Sequence, residues 1–169
     1  MPGDTNVVIR EYRDGDLTAL RDCVVELQDF ERRIDGRLRP GASMADDYLR
    51  EMIRRCGACA GTILVAESDS VVVGFATILA RVPFESLDDP PGDYALVADL
   101  VVHEGFRGRG IGTALLSASE RYARASGATE LRIAVLSENR GAAELYRRVG
   151  FAAYSEVLRK RLDAGSEGA

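Results

Sequence analysis

Residues 106–113 read Phe106-Arg107-Gly108-Arg109-Gly110-Ile111-Gly112-Thr113, three glycines and two arginines set between an apolar run at 94–102 and an amphipathic stretch at 112–125. A strand that feeds a glycine turn and opens at once into a helix is a cradle for linked phosphates. Glycine lets the backbone turn tightly and approach a ligand, so that free N–H groups at the helix start point at phosphate oxygens. The two arginines add charge-assisted donors to the same turn. The order of the residues excludes the commoner nucleotide loops. A P-loop needs Gly-Lys followed by Ser or Thr, and no lysine stands here. A dinucleotide fingerprint needs G-x-G-x-x-G early in a βαβ unit and an acid about twenty residues on, whereas these glycines run G-x-G-x-G in the second half of the chain.

What the segment does satisfy is R-x-x-G-x-G, through Arg107, Gly110 and Gly112. Here the chain resembles the GCN5-related N-acetyltransferase (GNAT) family, in which this segment holds the pyrophosphate of acetyl-CoA. The specific part of the resemblance spans residues 99–151. It implies that Arg107, Gly108, Arg109, Gly110, Gly112 and Thr113 bind acetyl-CoA as cosubstrate. It also implies that Leu100, Val101 and Val102, at the end of the fourth strand, pair with the pantetheine arm through backbone groups, one N–H polarising the thioester carbonyl. An oriented backbone donor needs no particular side chain, so apolar residues suit that role. Tyr146, in Glu144-Leu145-Tyr146-Arg147-Arg148-Val149-Gly150-Phe151, resembles the family's helical tyrosine that donates a proton to the departing thiolate. A phenol with an ordinary pKa of about 10 suits a basic leaving group. Asn139 matches a family asparagine that contacts the pantetheine arm or the helix end, and a plain helix N-cap is the alternative. No metal is expected.

The proton on an acceptor ammonium needs a base. Asp99 is the acid inside the run at 94–102, where relatives in the resembled family often carry one. Period-two alternation puts Asp99 on one face with Val97 and Val101, an assignment that a bulge would reverse. Glu26, Glu31, Tyr94 and His103 are lesser candidates. Residues 26–31, with Glu85, Asp88 and Asp89, fall where the family builds its acceptor site, and acids there attract an ammonium group. Leu27-Gln28-Asp29-Phe30-Glu31 with Ala98-Asp99 is similar to diamine and polyamine acetyltransferases, but the acid they carry at position 98 is absent. The same acids also read as the solvated face of a helix and a loop.

These residues must be positioned by a sheet and its helices. Alternation over residues 6–12 predicts a first strand. Asp14 or Asp16 then caps a helix with Leu17, Leu20, Val24, Leu27 and Phe30 at helical spacing. Ser43 caps a second helix, whose apolar stripe is Met44, Tyr48, Met52 and Ile53. Residues 61–67 and 71–83 read as a hairpin across Ser68-Asp69-Ser70. Residues 84–93 form a loop, 94–102 a fourth strand and 112–125 a helix ended by Gly127. Residues 131–136 read as a buried strand, 140–149 as a helix closed by Gly150, and 151–162 as a final extended stretch. The order β-α-α-β-β-β-α-β-α-β makes an α/β single domain over residues 1–162, a mixed and mostly antiparallel sheet flanked by helices, with a flexible tail at 163–169. This order resembles the acyl-CoA N-acyltransferase fold from end to end.

Composition sets the outer bounds. The chain has 169 residues, which suits one core, and 46% apolar with 29% charged residues is the profile of a soluble globular protein. A net charge of −5 disfavours nucleic acid and suits a cationic partner. Asp4, Arg10, Glu11, Arg13 and Asp14 interrupt any run long enough for a signal-peptide core or membrane helix, so a cytoplasmic location is expected. Cys56 and Cys59 form a C-x-x-C with no second pair, which reads as packed thiols and not a metal or redox site. The expected function is acetyl transfer to the primary amine of a small molecule, directly in a ternary complex. A protein N-terminus or lysine as acceptor, a non-catalytic acyl-CoA sensor and a nucleotide-phosphate module are the alternatives. An edge strand at 151–162 could pair between two copies as a homodimer.

Overall fold

The structure is a computed structural model that describes residues 6–160 and 162. Five strands form one sheet in chain order: β1 (Val7–Glu11), β2 (Thr62–Ser68), β3 (Val71–Pro83), β4 (Asp93–Val102) and β5 (Leu131–Ile133). The first four pair antiparallel, and β5 runs parallel to β4. The mixed sheet flanked by helices is therefore as expected. β2 and β3 meet at Asp69 and Ser70, both with positive φ as a two-residue hairpin turn of this kind requires.

Each helix buries one stripe on one side of the sheet. On the first side, α1 (Leu17–Ile34) contributes Leu20, Cys23 and Val24, and α2 (Ala45–Ala58) contributes Ala45, Leu49, Met52 and Cys56. They pack on Ile63, Val65, Phe75, Leu79 and Val101 of the sheet. On the other side, α3 (Ile111–Ala125) sets Ile111, Leu115 and Leu116 against Leu64, Ala66, Val73, Ala76, Ile78 and Val97, and α4 (Arg140–Arg148) adds Tyr146. The sheet is buried on both faces, which is why β2 and β3 read as near-continuous apolar runs.

Two features of β4 place the site. Thr77 pairs with Asp99 and Ile78 with Val97, so Ala98 is an extra residue in β4, a β-bulge. Ala98 and Leu96 pack toward α1 and α2, and Val97 packs toward α3. After the bulge Asp99 and Val101 turn to the α1 and α2 side, while Leu100 and Val102 face α3. Asp99 thus shares a face with Val101 but not with Val97, which corrects the simple alternation. The second feature is an early end to pairing: β5 accompanies β4 only from Ala95 to Val97, leaving the far edge of residues 98–102 open.

Other sequence expectations need adjusting. β5 stops at Ile133 and does not extend to 136. Residues 151–160 form no strand and are mostly exposed, because three residues of β5 offer too short an edge for another strand to pair along. That stretch is held by side chains instead. The Tyr154 ring, with Phe84 and Tyr94, surrounds the Arg132 guanidinium at 4.2–5.1 Å, and Arg159 meets Asp35 at 2.7 Å. Neither expected cap bonds its helix. Asp16 accepts from Arg10 and the Arg13 amide, and Ser43 Oγ donates to Pro40 O, leaving Met44 before α2. Gly127 and Gly150, both at positive φ, do close α3 and α4. Residues 1–5 and the expected tail at 163–169 lie outside the described residues. No helix among the described residues is long and apolar enough to cross a membrane.

Candidate active site

A cavity of about 810 Å³ opens where β4 and β5 part. One wall is the glycine turn. After a 3-10 turn at Glu104–Phe106, Gly108 and Gly110 take positive φ values of 76° and 79°, and Gly110 stands directly before α3. The turn needs glycine for its backbone conformation and not for room, since a Cβ at either position meets nothing within 4 Å. Gly112 is different: a Cβ there would come within 3.1 Å of Leu145 on α4, so its bare backbone lets the two helices approach. The first amides of α3 have no partner inside the helix, and Gly110 has no side chain to cap them, so they are free to bind an anion.

Arg107, Gly108, Gly110, Gly112 and Thr113 line the cavity. Arg109 does not: its guanidinium lies over the Phe106 ring at 5.1 Å and donates to Gly105 O at 3.0 Å. Arg107 is also engaged, donating to Val102 O at 2.8 Å and to Glu26 at 2.9 Å. The backbone of this turn, more than its arginine side chains, is what faces the cavity. Gly110→Ala is therefore expected to weaken coenzyme A binding about tenfold, because a non-glycine residue at positive φ costs about 1–2 kcal/mol and the turn relaxes to avoid it. Isothermal calorimetry checks this.

The second wall is the open edge of β4, with residues 97–102 facing residues 133–136 across the cleft. Leu100, Val101 and Val102 all line it. Asn139 does two things at once: its side chain accepts from the Ala142 amide at 3.3 Å as the N-cap of α4, and it borders the cavity.

Titratable groups gather at the far end. Tyr146 lines the cavity from α4, its ring edge-on to Phe151 at 6.0 Å between centroids. Burial pushes its phenol up to about 12, so it keeps its proton through the neutral range, and its hydroxyl has no hydrogen-bond partner among the described residues. Asp99 is 6% exposed and lines the cavity from β4. Desolvation raises its pKa, opposed by hydrogen bonds from Tyr48 and Thr77 and by the charge of Arg55. Tyr48 Oη donates to Asp99 Oδ1 at 2.5 Å, and burial with the Asp99 charge drives the phenol far above its ordinary value. Glu31 completes the group from α1. It is raised by desolvation and by Asp99, and no hydrogen bond holds its carboxylate among the described residues. Two carboxyls and two phenols thus sit round one space, with Leu27, Gln28, Phe30 and Met44 as the apolar and polar remainder of the wall.

Several sequence candidates lie elsewhere. Glu85, Asp88 and Asp89 are exposed on the β3–β4 loop and none borders the cavity. Tyr94 packs on Arg132 near the start of β4. His103 has both ring nitrogens engaged, by Glu26 and by Cys23. Cys56 is buried and Cys59 half-buried, both as free thiols. No group of three or more metal-ligating side chains occurs among the described residues. Sequence reasoning passed over Tyr48, taking it for one more member of an apolar stripe. The available signal was its hydroxyl, since a phenol on a buried face needs a partner.

The chain is similar to known proteins in sequence and in fold. The family model described as Acetyltransferase (GNAT) family matches residues 25–151. The chain is 33% identical over 147 residues to a mycothiol acetyltransferase of Kineococcus radiotolerans, covering 86% of this chain and 43% of that one. It is 28% identical over 148 residues to thialysine N-epsilon-acetyltransferase of Bos taurus, covering 85% and 83%. The chain spans between about a quarter and under half the length of two of the curated relatives it matches. A solved structure of an aminoglycoside N-acetyltransferase in complex with CoA superposes with a TM-score of 0.71 at 20% identity, over 95% of this chain and 97% of that one, which is a likeness of fold. With its glycine turn, its strand edge opened beyond Val97 and a family match over most of its length, the chain belongs to the acetyltransferase (GNAT) family.

Proposed function

We propose that this chain transfers the acetyl group of acetyl-CoA to the primary amine of a small molecule, directly and in a ternary complex. The observation that carries the reading is that one cavity is bordered both by the glycine turn at 107–113 and by Asp99, Tyr48, Glu31 and Tyr146. The residues fit the cosubstrate. Free amides at the start of α3 suit its pyrophosphate, and the unpaired edge at 98–102 suits an extended arm that carries amide groups of its own. Acetyl-CoA supplies an activated acyl group as a thioester.

The protein's own groups do the rest. A backbone N–H at the end of β4 donates toward the thioester carbonyl oxygen, stabilising charge as it develops there. Glu31, without a hydrogen-bond partner among the described residues, attracts the acceptor ammonium. Asp99 takes the ammonium proton, with Tyr48 as its hydrogen-bond partner at the cavity wall. Its raised pKa makes it a stronger base than an exposed carboxylate. Tyr146 donates its proton toward the departing sulfur. The names of two relatives, a thialysine N-epsilon-acetyltransferase and a mycothiol acetyltransferase, support a small acceptor.

Calorimetry with coenzyme A, followed by thiol release from acetyl-CoA across a panel of small amines, lysine peptides and N-terminal peptides, tests the proposal. Binding with turnover of a small amine is the expected result. Binding without turnover of any amine leaves a sensor domain, and absence of binding removes the coenzyme reading.

A further inference from the structure

Three donors converge on one carboxylate of α1. Glu26 Oε1 accepts from the Glu104 amide at 2.9 Å and from Arg107 Nη2 at 2.9 Å, while Oε2 is bonded to His103 Nδ1. The chain of contacts continues inward, since His103 Nε2 lies 3.3 Å from Cys23 Sγ. Cys23 has no solvent exposure, and burial pushes its thiol up to about 12. A carboxylate only accepts, so Nδ1 carries a hydrogen toward Glu26, and Nε2 faces the thiol. Thiol, imidazole and carboxylate stand in the order of a cysteine nucleophile, but the sulfur is closed off and held neutral, so no nucleophile is available. The set has another use. Arg107 adds a bond to Val102 O at 2.8 Å and lies over the Phe30 ring at 5.7 Å, so residues 102–107 are stitched to α1 at several points.

We propose that Glu26 is a positioning residue that holds the turn after β4 against α1 in the shape that receives the pyrophosphate. The inference rests on the coenzyme reading above and adds to it a residue that does not line the cavity but bonds Arg107 at the start of the turn. A carboxylate can accept from all three donors. A glutamine amide has a single acceptor oxygen and no charge, so it cannot serve all three. A turn fixed before the ligand arrives binds it with less ordering cost. The same helix carries Leu27, Phe30 and Glu31 on the cavity wall, so the turn and the acceptor wall are held as one piece.

Glu26→Gln is expected to weaken coenzyme A binding about tenfold by calorimetry and to raise the KM for acetyl-CoA in step, with kcat at saturation within about twofold of wild type. Glu26→Asp, which keeps the charge, should recover part of the loss. In a double-mutant cycle with Arg107→Met, the two effects on coenzyme affinity should fall short of additive, because both remove the same contact. Should Glu26→Gln not fold, His103→Asn removes one of the three donors and should weaken binding in the same direction. Coenzyme affinity unchanged in Glu26→Gln, or a fall in kcat and melting temperature with KM unmoved, overturns the positioning role. Failure of the wild-type protein to bind coenzyme A overturns the coenzyme reading itself, so the two failures are told apart.

Discussion

Tyr146→Phe is expected to lower kcat by about 10²- to 10⁴-fold, the range that a positioned proton donor contributes, while coenzyme A binds as before. The ring stays in place because phenylalanine keeps the edge-on contact with Phe151 and the burial in α4. Only the hydroxyl is lost, and that hydroxyl bonds to nothing else among the described residues, so no buried partner is orphaned. Stability should therefore change little. Stopped-flow or steady-state thiol release, paired with calorimetry, separates the two effects. Equal kcat in the variant would remove Tyr146 from the chemistry, and a parallel loss of coenzyme binding would make it a packing residue. Because burial lifts the phenol to about 12, the tyrosine should impose no limb on the kcat profile below pH 10.

Asp99→Asn should lower kcat by about 10²-fold or more and at the same time make the protein more stable at neutral pH. The carboxyl is raised by desolvation, so the folded protein holds this proton to higher pH than the unfolded chain does. Below the ordinary carboxylate range, near pKa 3.9, both states are protonated and nothing is lost. As pH rises from there through the raised value, the folded state must ionise a buried group, and stability falls. Asparagine has the same shape and no charge. Its amide oxygen still accepts from Tyr48, and its NH₂ reaches toward Thr77. Each kcal/mol regained should raise the melting temperature by about 2–4 °C in a chain of this size. A variant that is inactive yet no more stable contradicts the account of Asp99 as a desolvated base, and one that is fully active removes it from proton transfer.

The parts of this molecule that were readable from its residues are those in which local chemistry decides. Gly108 and Gly110 announce a turn at positive φ, and Gly127 and Gly150 announce helix ends, because those backbone conformations leave little choice of residue. The apolar stripes of α1 and α2 and the continuous runs of β2 and β3 report a two-sided sheet directly. What escaped was whatever depends on register or on distant partners. The extra residue at Ala98 has no sequence mark, since a bulge is a property of two strands and only one of them is read at a time. Tyr48 and Glu26 gain their importance from groups 51 and 77–81 positions away. Residues 151–160 carry strand-like residues but lack a long enough edge beside them.

The insertion at Ala98 makes the face presented by Asp99 a matter of counting. A pleated ribbon offers two sides, and a residue standing outside the ladder puts two neighbours, Ala98 and Asp99, on the same side before alternation resumes. Deleting the Ala98 codon would set Asp99 directly after Val97 on the opposite face, so Asp99 would still look toward Tyr48 and the layer of α1 and α2, on a ladder without its irregularity. Loss of that one residue, like a change of length in the loop at 84–92, therefore leaves the parity of Asp99 and Val101 as it is.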